Sequence, residues 1–155
     1  MREAQRFVVF PPRDVMDDLQ VAVKSVEWGA RRIRPSHSRH LTGRFPLGRG
    51  RGSVPFESGM ERDVMGWLTS YDGLVDLKSQ PVTVEAWVVE EKIIYTTDIH
   101  VEYDPLPRSL ADFGFGTRTL IEVKPLKFCD DEKLFTKLYV MHAATGLPVL
   151  LITHH

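Results

Sequence analysis

Two carboxylates and an amine stand in a suggestive pattern between Tyr95 and Lys124. Asp98 lies within Tyr95-Thr96-Thr97-Asp98-Ile99-His100-Val101, and Glu122 and Lys124 within Leu120-Ile121-Glu122-Val123-Lys124. Both runs read as short β-strands. In the second, one residue separates Glu122 from Lys124, so the period-two pleat sends both to one face and sends Ile121 and Val123 to the other. Aspartate together with glutamate suits a hard divalent cation such as Mg²⁺, which takes oxygen ligands and keeps several waters. An amine beside it can hold or deprotonate an attacking water, or neutralise charge on a phosphate. E-x-K is common on solvent-facing strands, so the elements around it must decide what it does.

A helix is predicted from about Glu57 or Ser58 to Tyr71, with Met60, Val64, Trp67, Leu68 and Tyr71 as its buried stripe. Glu57 and Glu61 sit one turn apart on a neighbouring sector, and a glutamate on a helix packed beside the sheet can reach the same cation as Asp98. The plainer role for Glu61 is a pairing with Arg62 or with solvent. Asp72-Gly73 makes a turn. Val82, Val84, Ala86 and Val88 then alternate with Thr83, Glu85 and Trp87 as a strand does. Glu90-Glu91-Lys92 reads as the hairpin turn from which Ile93-Ile94-Tyr95-Thr96 returns antiparallel. The segment Asp104 to Gly116, with two prolines and two glycines, reads as a long loop whose tip can touch substrate. Pro125 helps end the Glu122 strand. Asp130-Asp131-Glu132 opens a helix with acids at its positive end, Leu134, Leu138 and Met141 form its apolar face, and Gly146 stops it. The apolar run Pro148 to Thr153 fits a strand buried on both faces, and the strand, helix, strand order implies a right-handed parallel crossover beside Glu122.

The N-terminal part divides in two. Residues 1–30 read as a helical segment: after Phe7-Val8-Val9-Phe10, a short strand or docking piece, Val15, Leu19, Val23 and Val26 recur at helical spacing with Asp14 as N-cap. Residues 31–55 form a basic arm. Arg31, Arg32, Arg34, Arg39, Arg44, Arg49 and Arg51 fall there with His37 and His40 and no acid, although the whole chain carries 20 Lys+Arg against 21 Asp+Glu. Arginine's planar fork grips phosphate in a bidentate way, and the interleaved glycine and serine favour an extended, flexible arm suited to a nucleic-acid backbone. A solubilising linker is the plainer alternative. At 155 residues with 26% charged side chains, the chain suits one soluble domain. No apolar run is long enough to span a bilayer, no signal peptide is evident, and one cysteine excludes an internal disulfide or a cysteine-rich zinc site. A cytoplasmic, DNA-associated location is the expectation.

Taken together, these segments resemble the TnsA family, the endonuclease subunit of heteromeric transposases, within the PD-(D/E)xK nucleases. The resemblance covers roughly residues 30 to 153. It rests on Arg31-Arg32-Ile33-Arg34-Pro35 with Thr42-Gly43-Arg44-Phe45, on Phe56-Glu57-Ser58-Gly59-Met60-Glu61-Arg62-Asp63, on Gln80-Pro81, on Tyr95-Thr96-Thr97-Asp98, and on Ile121-Glu122-Val123-Lys124-Pro125. It implies an α/β fold with a restriction-endonuclease-like core, a central mixed β-sheet flanked by α-helices, over residues 56–155. It also implies that Asp98 is the central metal ligand, Glu122 the second strand acid, Glu61 the helix acid with Glu57 as runner-up, Lys124 the catalytic amine, and the Val123 carbonyl a further ligand. The implied cofactor is Mg²⁺, with Mn²⁺ able to substitute. The implied activity is cleavage of the 5′ ends of a transposon, freeing the non-transferred strand, beside a DDE transposase subunit (TnsB-like) and an ATPase regulator (TnsC-like). Some relatives carry Gln where this chain has Glu122. Longer members continue into a winged-helix-like domain that contacts the regulator, so the expectation is either a core-only form or contacts supplied elsewhere. Two other readings stand beside it: a stand-alone restriction- or repair-type nuclease with the same core, and a non-catalytic DNA-binding assembly module.

Overall fold

The computed structural model describes residues 6–10, 20–29, 41–129 and 132–154. In chain order the elements are strands β1 (Arg6–Phe10), β2 (Val21–Trp28), β3 (Gly43–Pro46) and β4 (Ser53–Phe56), helix α1 (Gly59–Thr69), strands β5 (Leu74–Ser79), β6 (Val82–Val88), β7 (Glu91–Thr96) and β8 (Ile99–Tyr103), helix α2 (Arg108–Asp112), strand β9 (Arg118–Pro125), a 3-10 turn (Leu126–Phe128), helix α3 (Glu132–Thr145) and strand β10 (Val149–His154). This is a mixed α/β protein. Its main sheet has the order β1-β10-β9-β8-β5. β9 runs parallel to β10 and antiparallel to β8, and β8 is antiparallel to β5. A second sheet has the order β2-β6-β7, and β3 and β4 form a separate hairpin.

Two apolar layers cover the main sheet. On one side Val64, Met65 and Leu68 of α1 pack with Leu77, Ile99, Val101, Ile121, Val123, Leu150 and Ile152. On the other, Leu134, Leu138 and Met141 of α3 and Val82, Val84 and Ala86 of β6 meet Leu120, Val149 and Leu151. β9 is thus covered on both faces from Thr119 to Val123, and the polar side chains within that stretch are dehydrated. Glu122 is one of them. α1 begins where Ser58 Oγ accepts the Glu61 N–H at 3.1 Å, an N-cap that satisfies one of the helix's free donors. α3 ends at Gly146, whose φ of +69° suits glycine.

Several expectations need correction. Val21–Trp28 is a strand, antiparallel to β6, and not part of a helix; Asp14, Val15 and Leu19 lie outside the described residues. The reason is a register shift between Val23 and Ser25. That irregularity shifts the pleat by one residue, so Val23, opposite Ala86, and Val26, opposite Val84, fall on one side of the sheet although three apart, and imitate helical spacing. The run Phe7 to Phe10 is a strand on the edge of the main sheet, paired with β10. The strand expected to run through Asp98 breaks at Thr97-Asp98, where the chain passes from the second sheet to the main one. The antiparallel neighbours of β9 in the main sheet are therefore β8 and then β5, while the β6–β7 hairpin belongs to the other layer.

The loop between Asp104 and Gly116 contains α2, and Leu110 and Phe115 anchor it in the core beneath α1. The hairpin turn falls at Val89-Glu90, one residue earlier than expected, because Val88 pairs with Glu91. Among the described residues no helix is long and apolar enough to cross a membrane.

Candidate active site

The pairing register sets the site. Glu122 lies opposite Leu151 and Lys124 opposite Thr153 on β10, so these four share one face of the main sheet. Ile121 and Val123 point to the α1 side. Asp98 occupies the break before β8, and its Oδ2 accepts the Val123 N–H at 2.8 Å. The Asp98 backbone carbonyl in turn accepts the Gln80 N–H at 2.8 Å. A side chain and a main chain thereby fix this turn against β9 and against the β5–β6 turn.

The carboxyls of Asp98 and Glu122 are within hydrogen-bonding reach of each other. Asp98 keeps part of its residue surface open, but its carboxyl is densely enclosed; burial and then the neighbouring Glu122 push its pKa well above the carboxylate range. Glu122 is buried at 4% exposure, and that burial raises its pKa from 4.5 to about 7 against the pull of Tyr95 and Lys124. Glu61 is also buried and likewise raised to about 7, by desolvation first and by the Asp98 charge second. Three acids thus crowd one place with too little positive charge to ionise them all. Lys124 is half-buried, and its charge acts on both Asp98 and Glu122.

Glu61 has a second duty. Its Oε2 accepts the Glu57 N–H at 2.9 Å, across the turn that Ser58 caps, an arrangement close to a capping box. Arg62 pairs with Asp63 at 3.5 Å and not with Glu61. Glu61, one of the two helix candidates, senses the Asp98 charge. What Val123 brings to Asp98 is its N–H.

Unpaired oxygens mark the same place. Among the described residues, the buried side-chain oxygens without a hydrogen-bond partner are Tyr95 Oη, Thr97 Oγ1, Glu122 Oε2 and Thr153 Oγ1. Each lies on Asp98's own segment, on Glu122 itself, or beside Lys124. Buried polar atoms are rarely left unpaired, and such a group needs an ion, a water or a functional reason. Tyr95 and Glu122 influence each other's ionisation, yet neither Tyr95 Oη nor Glu122 Oε2 completes a bond of normal geometry. Tyr95, Thr97 and Thr153 were not singled out from sequence. Only the nearness of Tyr95 and Thr97 to Asp98 hinted at the first two, and the parallel pairing of β9 with β10 reveals the third. Among the described residues no three His, Cys, Asp or Glu side chains form a ready-made metal cage. The donor chemistry still fits Mg²⁺, which binds through one or two carboxylates and retains water.

The basic segment divides differently from the expected flexible arm. Arg31, Arg32, Arg34 and Arg39 lie outside the described residues. Arg44, Arg49 and Arg51 belong to the β3–β4 hairpin, which rests on α1 through Phe45 beside Gly66. Arg44 Nε donates to Ser53 Oγ at 2.7 Å and Arg51 Nη1 to the Leu74 carbonyl at 2.7 Å, so two arginines tie the hairpin to itself and to β5. Arg49 is exposed at the tip. No protein-family model matches the chain, and a search of curated proteins finds no match either.

Proposed function

We propose that the chain is a divalent-cation-dependent DNA endonuclease with a restriction-endonuclease-like core, of the TnsA type. The observation that carries the reading is the acid pair Asp98–Glu122, enclosed and short of counter-charge, with the unpaired Glu122 Oε2 and the Lys124 amine on one sheet face. The main sheet supports it: α1 and α3 cover its opposite faces, and β9, α3 and β10 form the parallel strand, helix, strand crossover expected beside Glu122.

In this reading Asp98 and Glu122 hold Mg²⁺ or Mn²⁺, and Glu61 lies at the edge of the same site. When bound, the cation polarises the phosphate and offsets charge on the attacking and leaving oxygens. Lys124 holds the attacking water or meets the charge developing on the phosphate. Val123 keeps Asp98 in place through its N–H. By the resemblance, the target is the 5′ end of a transposon, and a DDE transposase and an ATPase regulator are the partners.

The test is nicking of transposon-end DNA in Mg²⁺ or Mn²⁺, with and without the candidate transposase. Cleavage that needs the transposase supports the transposon role. Cleavage without it points to the stand-alone nuclease, and no cleavage in either case overturns the reading.

A further inference from the structure

A second feature lies on the Glu122 face of the main sheet, about four residues, or roughly 13 Å, back along β9. Arg118 pairs with Glu102, Glu102 with Asp76, and His100 with Lys78 in the β9–β8–β5 register. These side chains share one face of the sheet. Trp28, at the end of β2, closes the side of a recess of about 500 Å³ that they line, within the roughly 300–1,000 Å³ of small-molecule sites.

The recess is built. The Arg118 guanidinium lies 5.1 Å from the centre of the Trp28 ring, and its Nε donates to His100 Nε2 at 3.3 Å. The His100 ring meets Trp28 edge-on at 5.7 Å. His100 is buried, while Trp28 stays 47% exposed. A tryptophan held by two partners yet left half open costs exposed apolar area and presents a rigid aromatic surface. Around it stand two cations, Arg118 and Lys78, and two carboxylates, Asp76 and Glu102, with Lys78 and Asp76 paired at 3.5 Å. A flat ring flanked by cations and hydrogen-bond acceptors fits a nucleotide. The base stacks on the indole, the cations meet its phosphate, and the carboxylates accept from base N–H groups. In the sequence, Arg31, Arg32 and Arg34 follow within six residues of Trp28, so this end of β2 leads into the chain's most basic stretch.

We infer that the Trp28–His100–Arg118 recess binds one unpaired nucleotide of a DNA strand by stacking its base on Trp28. The inference deepens the nuclease reading, because it places an unstacked nucleotide on the same sheet face as the acids. It is tested separately by binding in EDTA, where cleavage plays no part.

The experiment measures fluorescence anisotropy of a labelled single-stranded oligonucleotide, a fully paired duplex of the same sequence, and a free mononucleotide as competitor. The proteins are the full wild-type chain, Trp28→Ala and Trp28→Phe. Quenching of 2-aminopurine in the single strand reports stacking in the wild-type chain without any substitution. Expected are clear 2-aminopurine quenching, about tenfold weaker single-strand binding for Trp28→Ala, near wild-type binding for Trp28→Phe, and duplex binding changed less than twofold. Displacement by the mononucleotide at similar concentration would mean a free-nucleotide site and overturn the strand assignment. Absence of quenching, or an equal loss on single strand and duplex, would overturn the recess. If quenching and the Trp28 effect hold while no cation supports cleavage, the nuclease reading fails and the recess stands.

Discussion

Asp98 Oδ2 accepts the backbone N–H of Val123 at 2.8 Å, which pins the turn before β8 to the strand that carries Glu122 and Lys124. The same carboxyl is therefore both a strut and a candidate ligand, and two substitutions separate these duties. Asp98→Asn keeps an acceptor oxygen and cannot take on the charge that burial and Glu122 oppose, so its stability in urea should equal or exceed wild type. Asp98→Ala leaves a buried N–H unpaired, a cost of about 1–3 kcal/mol, offset in part by the relief of Glu122. The expected order of urea midpoints is Asn above Ala, and the reverse order would deny the strut.

The acid cluster fixes the sign of a pH effect. Glu61 and Glu122 are raised from 4.5 to about 7 by burial. The folded state therefore binds protons that the unfolded state has released, and the contribution of these groups is complete below about 4.5 and lost as pH rises through about 7. His100 runs the other way. Burial, then Arg118, lowers it to about 4, so its contribution is complete above about 6.5 and lost as pH falls toward 4. Between about pH 6.5 and 8 the acids dominate, and stability in EDTA should drop by roughly 1–2 kcal/mol. Mn²⁺ should restore it, raising the melting temperature more at pH 8 than at pH 6. Thermal melts with and without the metal check this, and a metal effect independent of pH would separate the cation from these carboxylates.

The hairpin arginines should sort by what they touch. Arg49, exposed at the tip, is expected to act on DNA alone: Arg49→Ala should weaken duplex binding and reduce the salt slope by about 1 with no change in melting. Arg44→Ala and Arg51→Ala break bonds to Ser53 and to the Leu74 carbonyl and should cost roughly 0.5–1.5 kcal/mol of stability. Anisotropy titrations over a salt series, beside thermal melts, separate the two classes.

Val89 is a β-branched residue at φ +57° in a two-residue hairpin turn, and it is 80% exposed. A left-handed backbone disfavours any side chain with a Cβ by roughly 1–2 kcal/mol, and the exposed valine has little packing to lose. Val89→Gly should therefore stabilise the protein by about 1 kcal/mol, read as a raised urea midpoint without change in slope.

Legibility from sequence followed burial. Helix α1, helix α3, the alternating strand β6 and the parallel run β10 were readable because each carries an uninterrupted pattern of one period. β2 was misread because the irregularity between Val23 and Ser25 breaks the period of two. The partition of strands into two sheets is a long-range choice that no local pattern encodes. Asp98, Glu122 and Lys124 were visible by residue type and spacing, whereas Thr153 and the Trp28–Arg118 contact depend on strand neighbours distant in sequence. The double use of Glu61, as helix cap and as neighbour of Asp98, was half legible in Ser58-x-x-Glu61.

The central claim is that Asp98, Glu122 and Lys124 converge to cut DNA with a divalent cation. The most direct measurement is single-turnover cleavage of transposon-end DNA in Mg²⁺ or Mn²⁺, with the candidate transposase present, by wild type, Asp98→Asn and Lys124→Ala, each confirmed folded by its melt. The expected result is metal-dependent cleavage by wild type, lowered by about a thousandfold or more in both variants, on the scale of lost transition-state stabilisation by a single charged group. Cleavage by Asp98→Asn at the wild-type rate would contradict the account.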